Sequence, residues 1–280
     1  MSPMVKGFIR LVVIVVAVIV GFRIHWGAGL GVIALLAGYG IYTNRAAYYA
    51  QKGNIAYTQG DKENALAWME KAYRTRPNHP QHRVSYAYML IKSGDTARAE
   101  QVLNEVLAGK PASDIRMHAL INKATVHWLQ NKPEEALRLM EDVYGEFKNT
   151  TVYGNLGYFK LLQGEQLEDA LAFNQEAYAF NDSDVTILDN LAQNYFMLGR
   201  LEEARDMYVK VLEKAPKHAE SYYYYALTLQ RLGQTEEARE QIVKALEREP
   251  ALVTSVTRED IEQAAEELGA LREQEPNEAD

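Results

Sequence analysis

The 280-residue chain has no cysteine, which excludes disulfides, thiolate metal sites and cysteine nucleophiles. That absence fits either side of a membrane. Histidine is scarce: of His25, His79, His82, His118, His127 and His218, only His79 and His82 stand close together. Two ligands without a third make a weak metal signal, and surface turn histidines are the plainer reading. There is no HExxH, no phosphate-binding glycine loop and no nucleophile elbow. The frequent EE and ED pairs occupy early helix positions, where carboxylates favour the helix dipole. We therefore expect no catalytic site, cofactor, metal or small-molecule substrate. A basic excess is missing too. Lys and Arg total 30 against 38 Asp and Glu, a formal charge of -8, which disfavours nucleic acid. Nine carboxylates against Arg258 and Arg272 in residues 258–280 supply -7 of that charge.

Long apolar runs are confined to the first 45 residues. Phe8 to Phe22 (FIRLVVIVVAVIVGF) and Gly27 to Tyr42 (GAGLGVIALLAGYGIY) flank Arg23-Ile24-His25-Trp26. Each is slightly short for a bilayer, where about 20 residues are needed. Snorkelling Lys6, Arg10 and Arg23 and interfacial Trp26 and Tyr42 extend the span. The first reading is a transmembrane hairpin over residues 1–45, with helices at about 8–22 and 27–42. A cleaved signal peptide and a buried soluble hairpin are the alternatives. Against the first, Arg23, His25 and Trp26 stand where a cleavage site needs small residues. Lys6, Arg10, Arg45 and Lys52 lie outside the hairpin and Arg23 alone lies between its helices, which places both ends in the cytoplasm by the positive-inside bias. Gly27 and Gly31, continued by Ala34 and Gly38, offer a small face for the first helix to pack on.

From residue 46 onward the chain repeats itself. GDKENA, GDTARA, NKPEEA, GEQLEDA, GRLEEA and GQTEEA end in Ala65, Ala99, Ala136, Ala170, Ala204 and Ala238, spaced 34, 37, 34, 34 and 34 residues apart. Seven residues later come Ala72, Val106, Val143, Ala177, Val211 and Ala245; twelve later, in four of six, Pro77, Pro111, Pro216 and Pro250. Gly53, Ala87, Ala124, Gly157, Ala192 and Ala226 precede the turns. The pattern predicts a helix, a turn whose glycine adopts αL, a second helix and a proline stop. One such pair cannot hide its apolar face, so neighbours must stack.

This pattern resembles the tetratricopeptide repeat family. The resemblance spans residues 46–252 as six repeats and implies an all-α solenoid. Lys148 and Asp182 replace proline in the third and fourth repeats, Pro133 enters the third turn, and the fourth turn carries one extra residue. Residues 253–280 read as a capping helix and an acidic tail. Thr257 to Asp260 form a capping box, Ile261, Ala264, Ala265, Leu268 and Leu271 give an apolar stripe, and the acidic end starts near Gln274.

In this family the first helices line a concave face, and the resemblance implies a groove for a protein or peptide. One column of that face runs Tyr57, Ile91, Trp128, Leu161, Phe196 and Gln230. Another includes Tyr88 and Tyr158, and a third runs Ala50, Val84, Ile121, Gly154, Asp189 and Tyr223. Two readings stand: contact with a partner, or packing between repeats. Trp128 and Phe196 are the preferred anchors. Asn122, Asn155 and Asn190 recur at one place in the middle repeats, either as a ladder for a peptide backbone or as bonds to a neighbouring helix. A clamp for an acidic C-terminus is disfavoured, since Ala50 stands where lysine is wanted. In Ser221-Tyr222-Tyr223-Tyr224-Tyr225, Tyr222 and Tyr225 are expected in the core, Tyr223 and Tyr224 at the groove. The reading is a membrane-anchored interaction scaffold or assembly factor, not an enzyme. The alternative is a chaperone-like or regulatory subunit recruiting enzymes of an envelope pathway.

Overall fold

The computed structural model describes residues 3–164 and 166–270. The side chains of Lys6 and Arg10, the extra residue Glu165, Leu271 and the acidic end from Gln274 lie outside the described residues. Among the described residues every regular element is a helix. The chain divides into two compact units, residues 1–89 and 90–280. This line differs from the sequence boundaries at 45–46 and 252–253.

The first unit holds α1 (Pro3–Ile24), α2 (Trp26–Thr58), α3 (Lys62–Thr75) and the start of α4 (Pro80–Lys92). The turn between α1 and α2 is a single residue, His25, whose Nδ1 accepts the Gly27 N–H and caps α2. The predicted second apolar helix and the first repeat helix are one 33-residue element. Nothing at the 45–46 boundary breaks it, and the side chains of Thr43 and Asn44 bond back to the Tyr39 and Gly40 carbonyls. The two apolar helices meet at Gly21 and Gly29, where a Cβ on Gly21 would stand 3.1 Å from the Gly29 Cα. Gly31 and Gly38 have nothing within 4 Å, so the small face expected at Gly27 and Gly31 is not the one that α1 uses. Further along, Gly53 lets α2 close on Met69 of α3.

The second unit continues with α5 (Thr96–Ala108), α6 (Ser113–Leu129), α7 (Pro133–Glu146), α8 (Thr150–Gln163), α9 (Leu167–Phe180), α10 (Val185–Met197), α11 (Leu201–Glu213), α12 (Ala219–Arg231), α13 (Thr235–Leu246) and α14 (Arg258–Glu267). The turns work as expected. Gly60, Gly94, Gly164, Gly199 and Gly233 take φ between 70° and 86°, and Asn131 fills the third turn at φ 60°. Asparagine is the residue that tolerates αL best after glycine. Asp61, Asp95, Asn149 and Asp184 accept backbone N–H groups at the starts of α3, α5, α8 and α10. The capping box at Thr257 is complete, with Asp260 returning the bond. Ile261, Ala264, Ala265 and Leu268 bury the stripe of α14 in one cluster with Ile242 and Ala245 of α13.

Both alanine columns are interior: from Ala65 to Ala245, none of the twelve small residues is more than 2% exposed. The tightest approach is at Gly157 of α8, where an added Cβ would collide with Asn174 Oδ1 of α9 and stand 3.1 Å from Asn190 Nδ2 of α10. Gly157→Ala should therefore cost about 1–3 kcal/mol of stability. Gly145→Ala in α7, with nothing within 4 Å, should be neutral or slightly stabilising. Urea denaturation of the two variants checks the contrast; equal midpoints would remove the packing argument.

Candidate interaction groove

In the second unit the residues expected to face a partner lie on the first helices α6, α8, α10 and α12 and, for Ile91, at the end of α4. Several of them are interior. Ile91 and Leu161 are 1% exposed and Phe196 is 6% exposed. The Phe196 ring lies 5.4 Å from that of Tyr224, with the Arg231 guanidinium 4.4 Å from its centre. For these three, packing within the protein accounts for the side chain. Trp128 is half-buried, edge-on to Phe159 at 5.8 Å. Tyr158, Tyr223 and Asn122 are also half-buried. In the first unit Tyr57 and Tyr88 share a hydroxyl bond of 2.9 Å with rings 5.8 Å apart. Burial, then that bond, raises the Tyr88 phenol above its ordinary value.

Two of the three asparagines are engaged by their own chain. The Asn155 amide donates to the Thr151 carbonyl at 2.8 Å, and buried Asn190 donates to the Gly154 carbonyl at 2.7 Å. Gly154 has no side chain to keep α10 away, and the amide reaches the backbone of α8 directly. The equivalence noticed in the sequence marks helix-to-helix bonding at Asn190, with Asn174 and Asn194 extending the polar contact at 3.0 Å.

The groove already holds an extended piece of this chain. Between α13 and α14, residues 249–257 leave the helical path. The Glu249 carbonyl accepts from Ala219 N–H at 3.3 Å, and the Ala251 N–H donates to Glu220 Oε1 at 2.7 Å. Val253 packs on the cluster of Met117, Leu120, Ile121 and Phe159. Thr254 stands close enough to act on the Tyr158 phenol, and the Ser255 hydroxyl lies 3.4 Å from that of Tyr224. Val256 is buried beside α12 and α13. Arg258 ties the ends of this strap by donating to the Leu246 carbonyl. Val253 through Ser255 thus reach the inner sides of α6, α8 and α12.

Beside the strap lies a polar cluster that joins Tyr158, Asp189 and Tyr224, expected at the groove from the sequence, to Tyr208 and Glu220, which were not. Asp189 of α10, Glu220 and Tyr224 of α12, Tyr208 of α11 and Tyr158 of α8 influence one another electrostatically. Asp189 Oδ1, Glu220 Oε2 and the Tyr208 hydroxyl are sealed from solvent and have no hydrogen-bond partner in the protein. Burial pushes the Asp189 carboxyl up to about 7, with the Glu220 charge adding to the rise and the Ser221 bond opposing it. Asp189 as a residue is only half-buried, but its carboxyl is enclosed, and the surroundings of the carboxyl set its titration. Burial likewise raises the Tyr158, Tyr208 and Tyr224 phenols. One signal could have found this cluster: Asp189 is the lone carboxylate in the concave column. Another could have found the strap, because residues 251–257 carry neither a charge nor a helical period between the proline stop at Pro250 and the start of the capping helix at Arg258.

These helix pairs, joined by αL turns and closed by a covering helix, define a helical repeat protein. Sequence models of the tetratricopeptide repeat match residues 56–124, 117–142 and 183–250, together more than half of the 280 residues. The chain belongs to the tetratricopeptide repeat family. It is 25% identical over 177 residues to the TPR repeat-containing protein MJ1428 of Methanocaldococcus jannaschii, a match covering 61% of this chain and 31% of that one. The chain thus spans about a third of the length of that relative. Among solved structures, the TPR protein TTC0263 of Thermus thermophilus matches with 24% identity and a TM-score of 0.57, over 66% of this chain and 99% of its own. Pseudomonas aeruginosa pilF matches with 16% identity and a TM-score of 0.57, over 82% of this chain and 99% of its own. At these identities the likeness of the solved structures concerns the fold.

The raised Asp189 carboxyl fixes a pH dependence. Its folded value near 7 exceeds the ordinary 3.8, so the unfolded chain releases this proton first as pH rises. The group's contribution to stability is full below about pH 3.8 and falls toward about pH 7, by at most roughly 1.4 kcal/mol per pH unit. Asp189→Asn should flatten this part of the stability profile, measured by urea unfolding at pH 5 and pH 8. An unchanged slope in the variant would mean that Asp189 is ionised in the folded protein.

Proposed function

We propose that the chain is a protein-interaction scaffold held at a membrane by α1 and the first half of α2, with its repeats capturing a polypeptide. The scaffold class follows from the repeat family. The observation that carries the membrane part is the unpartnered apolar surface of these helices. Phe8, Leu35 and Ile41 are 66%, 75% and 75% exposed, and most of their apolar neighbours are exposed as well. A water-soluble body rarely leaves so large a contiguous apolar area open. One helix, Trp26–Thr58, is long and apolar enough to span a bilayer, and Leu11–Ile24 is a shorter apolar helix beside it. Trp26, Tyr39 and Tyr42 stand exposed at either end of the second apolar run, where interfacial aromatics suit the headgroups.

The charge distribution supports both ends of the hairpin on the cytoplasmic side, with the repeats there too. Trp128, Tyr158, Tyr223 and Asn122, which keep part of their surface exposed, are the side chains of the second unit on which we place partner contact, and Tyr57 and Tyr88 are those of the first unit taken by itself. Ile91, Leu161, Phe196, Asn155 and Asn190 support that surface from beneath.

Val13→Asp together with Val16→Asp should release the protein from the membrane fraction, each carboxylate costing about 2.5–3.5 kcal/mol at the centre of a span. Retention of this variant after alkaline extraction would sink the anchor. Photo-crosslinking of the intact protein in its own membrane tests the scaffold. A Trp128→Ala variant should recover its crosslinked polypeptide about tenfold less well, with unchanged helical content by circular dichroism. Loss of helical content would make Trp128 a core residue instead.

A further inference from the structure

The polar cluster beside the strap has the chemistry of a cation site, and among the described residues no basic group acts on it. Asp189 Oδ1 and Glu220 Oε2 are each sealed from solvent without a hydrogen-bond partner, and the Glu220 charge acts on the Asp189 carboxyl. Glu220 is 5% exposed and Tyr208 fully buried, so the Glu220 carboxylate and the Tyr208 hydroxyl cannot turn out to bulk water. The groups that act on Asp189, Tyr158, Tyr208 and Tyr224 are Glu220, Ser221, Gln193, Thr254, Ser255 and one another. None is basic. Two buried carboxyls without a counter-charge are costly, and a cation placed between them would relieve that cost. Among the described residues no group of three or more His, Cys, Asp or Glu comes together to hold a metal ion. Phenol rings beside two carboxylates suit an organic cation, whose charge interacts with both carboxylate and ring face.

The strap shows how such a cation would arrive. It is an extended segment, uncharged over residues 251–256, seated by one backbone bond to Glu220, by Thr254 beside the Tyr158 phenol and by one long contact to Tyr224. Thr254 places its side chain at the cluster but carries no charge to meet the carboxyls.

We propose that the groove of α6, α8, α10 and α12 takes an extended partner peptide in place of residues 251–256, and that Asp189 and Glu220 receive a lysine or arginine side chain of that peptide. The strap is then a resident occupant that matches the groove in shape and lacks the decisive charge. This inference rests on the polypeptide-binding reading above and adds the chemistry by which the partner is chosen.

The full-length protein tests it in cis and in trans. In cis, Thr254→Lys supplies the missing ammonium, and Thr254→Met supplies similar length without charge. The lysine variant should melt roughly 3–6 °C above the methionine variant at pH 8, and the difference should vanish when Glu220→Gln and Asp189→Asn are added. A lysine variant no more stable than the methionine variant overturns the cation site. In trans, the probes are a labelled synthetic peptide of residues 249–257 with lysine at the 254 position and the same peptide with norleucine there. The lysine peptide should bind the detergent-solubilised protein at least tenfold tighter, with the preference lost in Glu220→Gln. Equal binding of the two peptides overturns the charge selection and leaves the interaction groove standing. Binding of neither overturns displacement of the strap, while the crosslinking result still decides the scaffold reading.

Discussion

The structure depends on how closely the two helices of each pair approach. At that contact the chain places alanine, glycine or valine on both partners, and the twelve residues of the two main columns are essentially without exposure. A longer side chain there would drive the axes apart and open voids along the length of both helices. The αL residue at each turn follows from the same requirement, because the chain must reverse within two or three residues to bring the small columns of the second helix against the glycine or alanine of the first. Glycine does this in five turns and Asn131 in the sixth. A pair closed in this way is flat and apolar on its outer side, which obliges it to find a neighbour.

Stacking satisfies the sides of each pair, but it leaves the inner surface of the first helices open. In the second unit that surface is covered by the strap and furnished with charge. This is an unusual expense: enclosing Asp189 and Glu220 with unpartnered oxygens lowers stability, and an apolar pair would pack the same space at less cost. Where a fold keeps such groups in place, a ligand that compensates them is a sufficient reason. Asn190 and Asn194 make the contrast within the same helices, since their amides donate to the Gly154 and Leu167 carbonyls and tie α10 to α8 and α9.

Much of this was legible in the residues. The 34-residue period, the turn glycines, the capping box at Thr257 and the apolar character of the first 45 residues all report local rules, and local rules act within a turn or two of helix. What was not legible depends on contacts between residues distant in sequence. Gly21 and Gly29 meet where GxxxG spacing pointed to Gly27 and Gly31, because the one-residue turn at His25 sets the rotation of α1 on α2. Ile91, Leu161 and Phe196 occupy an inner column by count but are buried, because burial depends on how neighbouring helices and the strap pack around each equivalent position. The strap was hidden for the same reason: Val253 meets a cluster that begins more than a hundred residues earlier, at Met117.

The four tyrosines of α12 show how such a distant contact reshapes a local choice. On an isolated amphipathic helix one of four consecutive positions must face water, and a fourth aromatic there gains nothing. Here Tyr222 is buried beneath the Arg248 guanidinium, and Tyr225 lies against Tyr208 at 5.6 Å. Tyr224 turns inward to Phe196 and the Ser255 hydroxyl, and Tyr223 packs beside it at 5.1 Å. Only the returning strap makes the side occupied by Tyr224 an interior one. A phenol suits that side because its ring is covered while its hydroxyl still meets a polar strap. Phenylalanine would satisfy the packing and abandon Ser255; serine would satisfy the bond and abandon Phe196. The run of tyrosines is what a helix needs when all of its faces are covered and two of the covers are polar.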